Sequence, residues 1–274
     1  MVGEKVLSGR KKGKVLAVSG KGGVGKTTFL ALVLKTLIDT SKKDASKKYD
    51  ILVADADPDA NMADILGVEV PASVGDISMK MKENMHRIPL GISKDRYLEG
   101  LIFQILSEEH DFDLIEMGSV ERGGCYCSLN SLLTRILDTL SENYDISLAD
   151  MPAGLEHVNR RTQRDIDILY LITDGTKPGL KTIKRILEIA KKVKVNFKNV
   201  YIVGNKVSEK IEASLKKYAE ENKLSYAGSL PYDSKVMEFS LDGENLLDIP
   251  EDSPAYSAVK SIVEKTVKSA GIEI

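Results

Sequence analysis

GKGGVGKT, residues 20–27, fits the pattern G-x-x-x-x-G-K-[ST]. The chain enters it from KVLAVS (14–19), a short apolar run that reads as a strand. It leaves into TTFLALVLKTLID (27–39), where apolar residues recur with helical spacing. Strand, glycine loop and helix in that order are what phosphate binding needs. Gly20, Gly22, Gly23 and Gly25 let the backbone turn tightly and aim N–H groups at phosphate oxygens, and the helix start adds its positive dipole end. Lys26 is set to reach the β- and γ-phosphates and the Thr27 hydroxyl to ligate Mg2+, with Val24 and Thr28 completing the cradle of an ATP or ADP site.

Outward from this loop the pattern repeats. YDILVADAD (49–57), DLIEM (113–117), YDISLAD (144–150), IDILYLIT (166–173), NVYIVGN (199–205) and LSYAGSLP (224–231) read as strands, and helical patterns such as LKTIKRILEIAKKV (180–193) lie between most of them. Alternating strands and helices predict an α/β fold, a mostly parallel sheet covered by helices on both faces. No repeat or linker divides the chain. A single P-loop ATPase domain over 1–274 is expected, with residues 1–13 as an N-terminal extension and 68–111, which contains Met79, Met81 and Met85, as an irregular inserted segment packed on the domain. SKKDASKK (41–48) reads as a mobile polar loop.

Composition removes several classes. Charged residues are 29% and hydrophobic residues 42%, ordinary values for a globular protein, and the net charge of −2 gives no general attraction to nucleic acid or to an anionic membrane. Trp is absent, which argues against base-stacking platforms. No apolar run approaches the roughly 18 residues of a membrane span, and MVGEKVLSGRKKGK has no apolar signal core, so a cytoplasmic protein is expected.

KGGVGKTT resembles the deviant Walker A loop of the MinD/ParA/nitrogenase-iron-protein class of ATPases, and the resemblance extends over about residues 14–267. It implies that Lys21, which the loop does not need for its own phosphate, crosses a homodimer interface to the facing nucleotide, so that hydrolysis depends on dimerisation. DADPDAN (55–61) looks like the switch I segment of that class, in which Asp57 would position the attacking water; Asp55 and Asp59 read as a polar loop. ISLADMPAG (146–154) is similar to a Walker B strand, with Asp150 holding Mg2+ and Gly154 offering an N–H to the γ-phosphate. In VGNK (203–206) the class implies an adenine contact from Asn205, with Lys206 beside it, and LPYD (230–233), with Pro231 and Asp233, lies where the class lines the adenine pocket. All these stretches end strands, so a parallel sheet brings them to one edge.

The two cysteines, Cys125 and Cys127, sit one residue apart in RGGCYCSL, just before a helical stripe of Leu129, Leu132, Leu133, Ile136, Leu137 and Leu140. A helix dipole and Arg122 favour thiolate there, and Gly123 and Gly124 let both sulfurs face one way. One C-x-C supplies two sulfurs where a closed soft-metal site takes four, and His86, His110 and His157 have no ligand spacing to it. A second chain across a two-fold axis would complete S4, suited to Zn2+, Ni2+ or an iron–sulfur cluster. Two buried structural thiols are the alternative. EMGSVERGGCYCSLNSLL, with Asn130 after the cysteines, resembles the CooC group of nickel-insertion ATPases. That resemblance implies a homodimeric metallochaperone that binds Ni2+ or Zn2+ and serves carbon monoxide dehydrogenase or acetyl-CoA synthase.

Two other functions stay open at this point. Iron–sulfur carriers of the class usually show C-x-x-C, and its reductases space their cysteines widely. Positioning ATPases of the ParA or MinD kind act on DNA or membrane, but the C-terminal stripe Val259, Ile262, Val263 and Val267 lacks the large apolar residues of a membrane-surface helix, so packing on the domain is expected, with no nucleic acid or membrane partner.

Overall fold

The computed structural model describes residues 13–84, 91, 97, 100, 101, 103–118, 143–153, 166–193 and 195–273. Their strands form one eight-stranded sheet in the order β3-β4-β2-β5-β1-β6-β7-β8. These are β1 (Lys14–Gly20), β2 (Ile51–Asp55), β3 (Ser107–Glu108), β4 (Asp113–Glu116), β5 (Ile146–Asp150), β6 (Ile166–Thr173), β7 (Phe197–Asn205) and β8 (Ser225–Leu230). Every pairing is parallel except β3 with β4, a two-residue antiparallel edge that the sequence pattern did not reveal. Every residue of β2, β5 and β6 is buried, as strands covered on both faces must be, which is why they read as continuous apolar runs rather than as alternations.

Successive side chains divide between two layers. Leu16, Val18, Ile168, Tyr170 and Ile172 meet helix α1 (Lys26–Lys43) and the last α-helix, α7 (Pro254–Thr266), in one apolar cluster. Ala17, Leu169, Leu171 and Ile202 meet Ile183, Ile186 and Ala190 of α4 (Lys177–Val193) on the opposite face. Phe29 packs edge-on against Tyr170 at 5.1 Å between ring centres, and the Tyr170 hydroxyl is 2.5 Å from that of Thr266, so the buried ring keeps a polar partner. Val259, Ile262, Val263 and Val267 are all buried, which gives the C-terminal helix the packing role expected of it. Other α-helices among the described residues include α2 (Met62–Leu66), α3 (Val74–Asn84), α5 (Glu209–Glu221) and α6 (Ser234–Asp242).

Two stretches differ from the sequence reading. Residues 41–48 are not one loop: α1 runs on to Lys43, and Asp44 accepts the Ser46 N–H at 3.0 Å to start a 3-10 turn, Ala45–Lys47. Lysines at a helix C-terminus favour its dipole, so a charged composition did not mean an unfolded end. The segment 68–111 holds α3 and β3, with Val74, Ile77 and Ile105 packed against Leu52 and Ile115. No helix among the described residues is long and apolar enough to cross a membrane.

Candidate nucleotide site

The loop between β1 and α1 is shaped by its glycines. A Cβ on Gly20 would stand 2.3 Å from the Ile172 carbonyl oxygen, so only glycine lets β1 lie this close to the end of β6. Gly25 has φ 86° and precedes α1, and a Cβ there would meet the Asn205 amide nitrogen at 2.4 Å. No side chain caps α1, and its first turn carries no acidic residue. Helix N-termini normally gather such groups; their absence leaves the N–H groups and the dipole for an anion.

Around this loop four carboxylates stand at the ends of three adjoining strands. Asp150 ends β5 and is fully buried. Its Oδ2 accepts the Thr27 hydroxyl at 2.6 Å, while its Oδ1 is buried with no hydrogen-bond partner among the described residues. Burial pushes its pKa up to about 7; the Thr27 bond and the charge of Lys26 pull the other way, and Asp55 adds to the rise. A buried carboxylate oxygen with nothing to bond, beside a threonine hydroxyl, is an oxygen donor set suited to Mg2+. Asp57 follows β2 and lies with its Oδ2 3.8 Å from Nζ of Lys26, which is 7% exposed. Lys21 is exposed, and its charge reaches Asp174 at the end of β6. Burial alone would raise Asp174, but bonds from Thr176 and the lysine together hold it below the usual carboxylate range.

Asp55 does not belong to a polar loop. It is fully buried at the end of β2, in register with Asp150 on one side and Glu116 on the other. It accepts the N–H of Asp57 at 3.0 Å and of Met62 at 2.9 Å, and burial lifts its pKa to about 6. Glu116, at the end of β4, accepts the Ala63 N–H at 3.0 Å, and burial raises it as well. Sequence reasoning passed over Glu116 because one acid in DLIEM looks like a strand's solvent face; the signal was its place at a strand's carboxyl end.

On the other side, the Asn205 amide donates to the Val24 carbonyl at 2.7 Å, tying β7 to the phosphate loop. Lys206 has φ 55°, its N–H bonds the Leu230 carbonyl at 2.9 Å, and its Nζ stands 5.9 Å from the Tyr232 ring centre. Pro231 is exposed beside them. Asp233 turns inward instead: one oxygen caps α6 through the Lys235 N–H at 3.0 Å, and the other takes the Ser253 hydroxyl at 2.6 Å and the Ala255 N–H at 3.0 Å. With these bonds made, its carboxylate joins two helix starts rather than lining a base pocket. Cys125, Cys127 and Gly154 lie outside the described residues. Among the described residues no group of three or more His, Cys, Asp or Glu side chains is arranged to hold a metal ion.

Residues 15–247 match the CobQ/CobB/MinD/ParA nucleotide binding domain. The chain belongs to that family. It is 45% identical over 255 residues to an uncharacterized ATP-binding protein of Methanocaldococcus jannaschii, covering 92% of this chain and 98% of that one. It is 24% identical over 270 residues to the carbon monoxide dehydrogenase accessory protein CooC of Rhodospirillum rubrum, covering 94% and 99%. Among solved structures, a ParA family ATPase from Chlorobium tepidum superposes with a TM-score of 0.66 at 18% identity, over 91% of this chain and 97% of the other. The fold is thus the P-loop architecture of MinD and ParA, and the site belongs to a nucleotide-binding ATPase domain.

Proposed function

We propose that this protein is a Mg2+-dependent ATPase of one domain spanning the chain, that it works as a homodimer in the cytoplasm, and that it carries Ni2+ or Zn2+ between the Cys125 and Cys127 pairs of two chains for delivery to carbon monoxide dehydrogenase or acetyl-CoA synthase. The observation that carries the nucleotide half is the phosphate loop set beside Thr27 and Asp150, with one carboxylate oxygen of Asp150 buried and unbonded. Support for the metal half is the C-x-C pair in a member of this family and the full-length similarity to CooC.

In this reading Gly22, Gly23, Val24, Gly25 and Thr28 wrap the phosphates of ATP. Thr27 and Asp150 hold Mg2+, which when bound neutralises phosphate charge. Lys26 turns from Asp57 to the β- and γ-phosphates, freeing Asp57 to orient a water. That water attacks the γ-phosphorus, the bond to the bridging oxygen breaks, its electron pair stays on ADP, and the water's protons end on phosphate and solvent. Lys21 supplies positive charge to the partner's nucleotide, and Gly154 lends an N–H to the γ-phosphate. Asn205, Lys206 and Pro231 border the base.

Titrating Ni2+ into reduced protein without oxygen, with and without ATP, tests the reading. One metal per two chains is expected, lost in Cys125→Ser and Cys127→Ser. Metal binding that survives loss of both thiols refutes the site. Bound iron with charge-transfer absorption after anaerobic purification would favour an iron–sulfur carrier instead. Steady-state hydrolysis by Lys26→Ala near the native rate would remove the ATPase, since charge neutralisation of the transferring group dominates this chemistry.

A further inference from the structure

The turn that carries Asp57 is strained and held from outside. Ala60, in its middle, has φ 43°, a left-handed conformation that crowds the Cβ of any residue but glycine. Such a conformation persists only where its surroundings over-determine it. The local bonds are modest: the Ala60 N–H reaches the Asp57 carbonyl at 3.0 Å and the Asp59 N–H reaches the Asp57 carboxylate at 3.3 Å. Asn61, the residue in the cap position of α2, gives no side-chain cap.

The caps come from the sheet. Asp55 takes the first N–H of α2, that of Met62, and Glu116 takes the second, that of Ala63. Asp55 also takes the N–H of Asp57, and the Ala56 N–H bonds the Asp150 carbonyl at 2.9 Å. Both ends of the turn are therefore fixed to three adjacent strands. Glu116 is 8% exposed, and burying a carboxylate is costly unless its bonds are needed. A neutral apolar residue there would extend the core but leave the Ala63 N–H buried without a partner.

We propose that Glu116 is a positioning residue of hydrolysis. By capping α2 from β4 it completes, with Asp55, a clamp on the strained turn and so holds the backbone of Asp57 still while its carboxylate leaves Lys26. The inference rests on reading Asp57 as the residue that orients water. The part played by Glu116 is to accept a hydrogen bond, so an amide of the same shape performs it and a thioether of similar volume does not.

The test compares Glu116→Gln, Glu116→Met and Glu116→Ala in the full-length protein by kcat for ATP, by ADP affinity and by thermal unfolding. The expected result is native kcat for Gln, and a loss of about tenfold to a hundredfold for Met and Ala, the scale on which misplaced catalytic groups cost rate, with ADP affinity kept within about twofold. If Ala does not fold, Met decides, since it fills the space. Native kcat in Met overturns the inference. So does a loss of kcat and ADP affinity in parallel with unfolding temperature, which marks a purely structural residue. Asp57→Ala separates the two claims: if it hydrolyses ATP at the native rate, the reading of Asp57 and the inference fall together, whereas an inactive Asp57→Ala beside an active Glu116→Met removes the inference alone.

Discussion

Asp150→Asn should stabilise the nucleotide-free protein at pH 8 while abolishing its hydrolysis. The free carboxylate is fully buried, with one oxygen bonded to Thr27 and the other unbonded. Its proton leaves near pH 7 in the folded chain, because of burial, but near the ordinary 3.8 in the unfolded one. Between those values the folded state holds the extra proton, so stability is full at the acid end and is lost as pH rises through about 7. The gap corresponds to at most about 4 kcal/mol, and Asp55, raised to about 6 by its own burial, shares part of it, so a gain of about 2 kcal/mol is expected for Asn at pH 8. The amide oxygen still accepts the Thr27 hydroxyl, and the buried charge is gone. For a chain of this size that is a rise of about 4–8 °C in unfolding temperature. At pH 5 the folded native chain is neutral at this position and only its unfolded state is ionised, so the gain from Asn should fall to less than half of that at pH 8. Circular dichroism melts of nucleotide- and metal-free protein at both pH values check it. A variant no more stable than the native chain at pH 8, or equally stabilised at pH 5, refutes the argument that the site stores an uncompensated charge.

Lys21→Ala should keep ADP affinity, because Lys26 and the backbone loop remain, and should lose hydrolysis and ATP-driven dimerisation; sedimentation with and without ATP reads the second effect, and unchanged dimerisation would make Lys21 a local contact. Gly25→Ala places a Cβ against the Asn205 amide at a φ of 86° and should cost about 1–3 kcal/mol of stability and most nucleotide affinity, measurable by melts and by ADP titration. Asp233→Ala removes three bonds that join the starts of α6 and α7 and should cost about 1–3 kcal/mol with ADP affinity unchanged; a selective loss of ADP binding would return Asp233 to the base pocket.

Much of the fold could be read from the chain because buried parallel strands announce themselves as apolar runs. IDILYLIT was assigned residue for residue, and the phosphate loop came with its strand and helix. The site was legible only where function demands particular residue types in sequence. Lys26, Thr27 and Asp150 fall in that class and meet in space. Asp55 was misread because DADPDAN has the composition of a solvated turn, and nothing local tells that α2 and β4 close over it. Glu116 and the inward turn of Asp233 depend on neighbours 53 and 20–22 residues away in sequence, a distance over which a pattern carries no signal.

The ion pair between Lys26 and Asp57 gives the phosphate loop an anion of its own. A buried lysine cation needs a counter-charge, and the chain supplies one before any nucleotide arrives. Every incoming phosphate must therefore displace a resident competitor, which lowers affinity for ATP, ADP and inorganic phosphate alike. In the proposed mechanism the same carboxylate would reclaim the lysine once the γ-phosphate had been cut, so departure of product would be an exchange of partners rather than the exposure of a bare charge. Asp57→Asn should then bind ADP and inorganic phosphate each more tightly than the native protein in direct titrations; unchanged affinities would mean that the carboxylate and the phosphate do not contend for one cation.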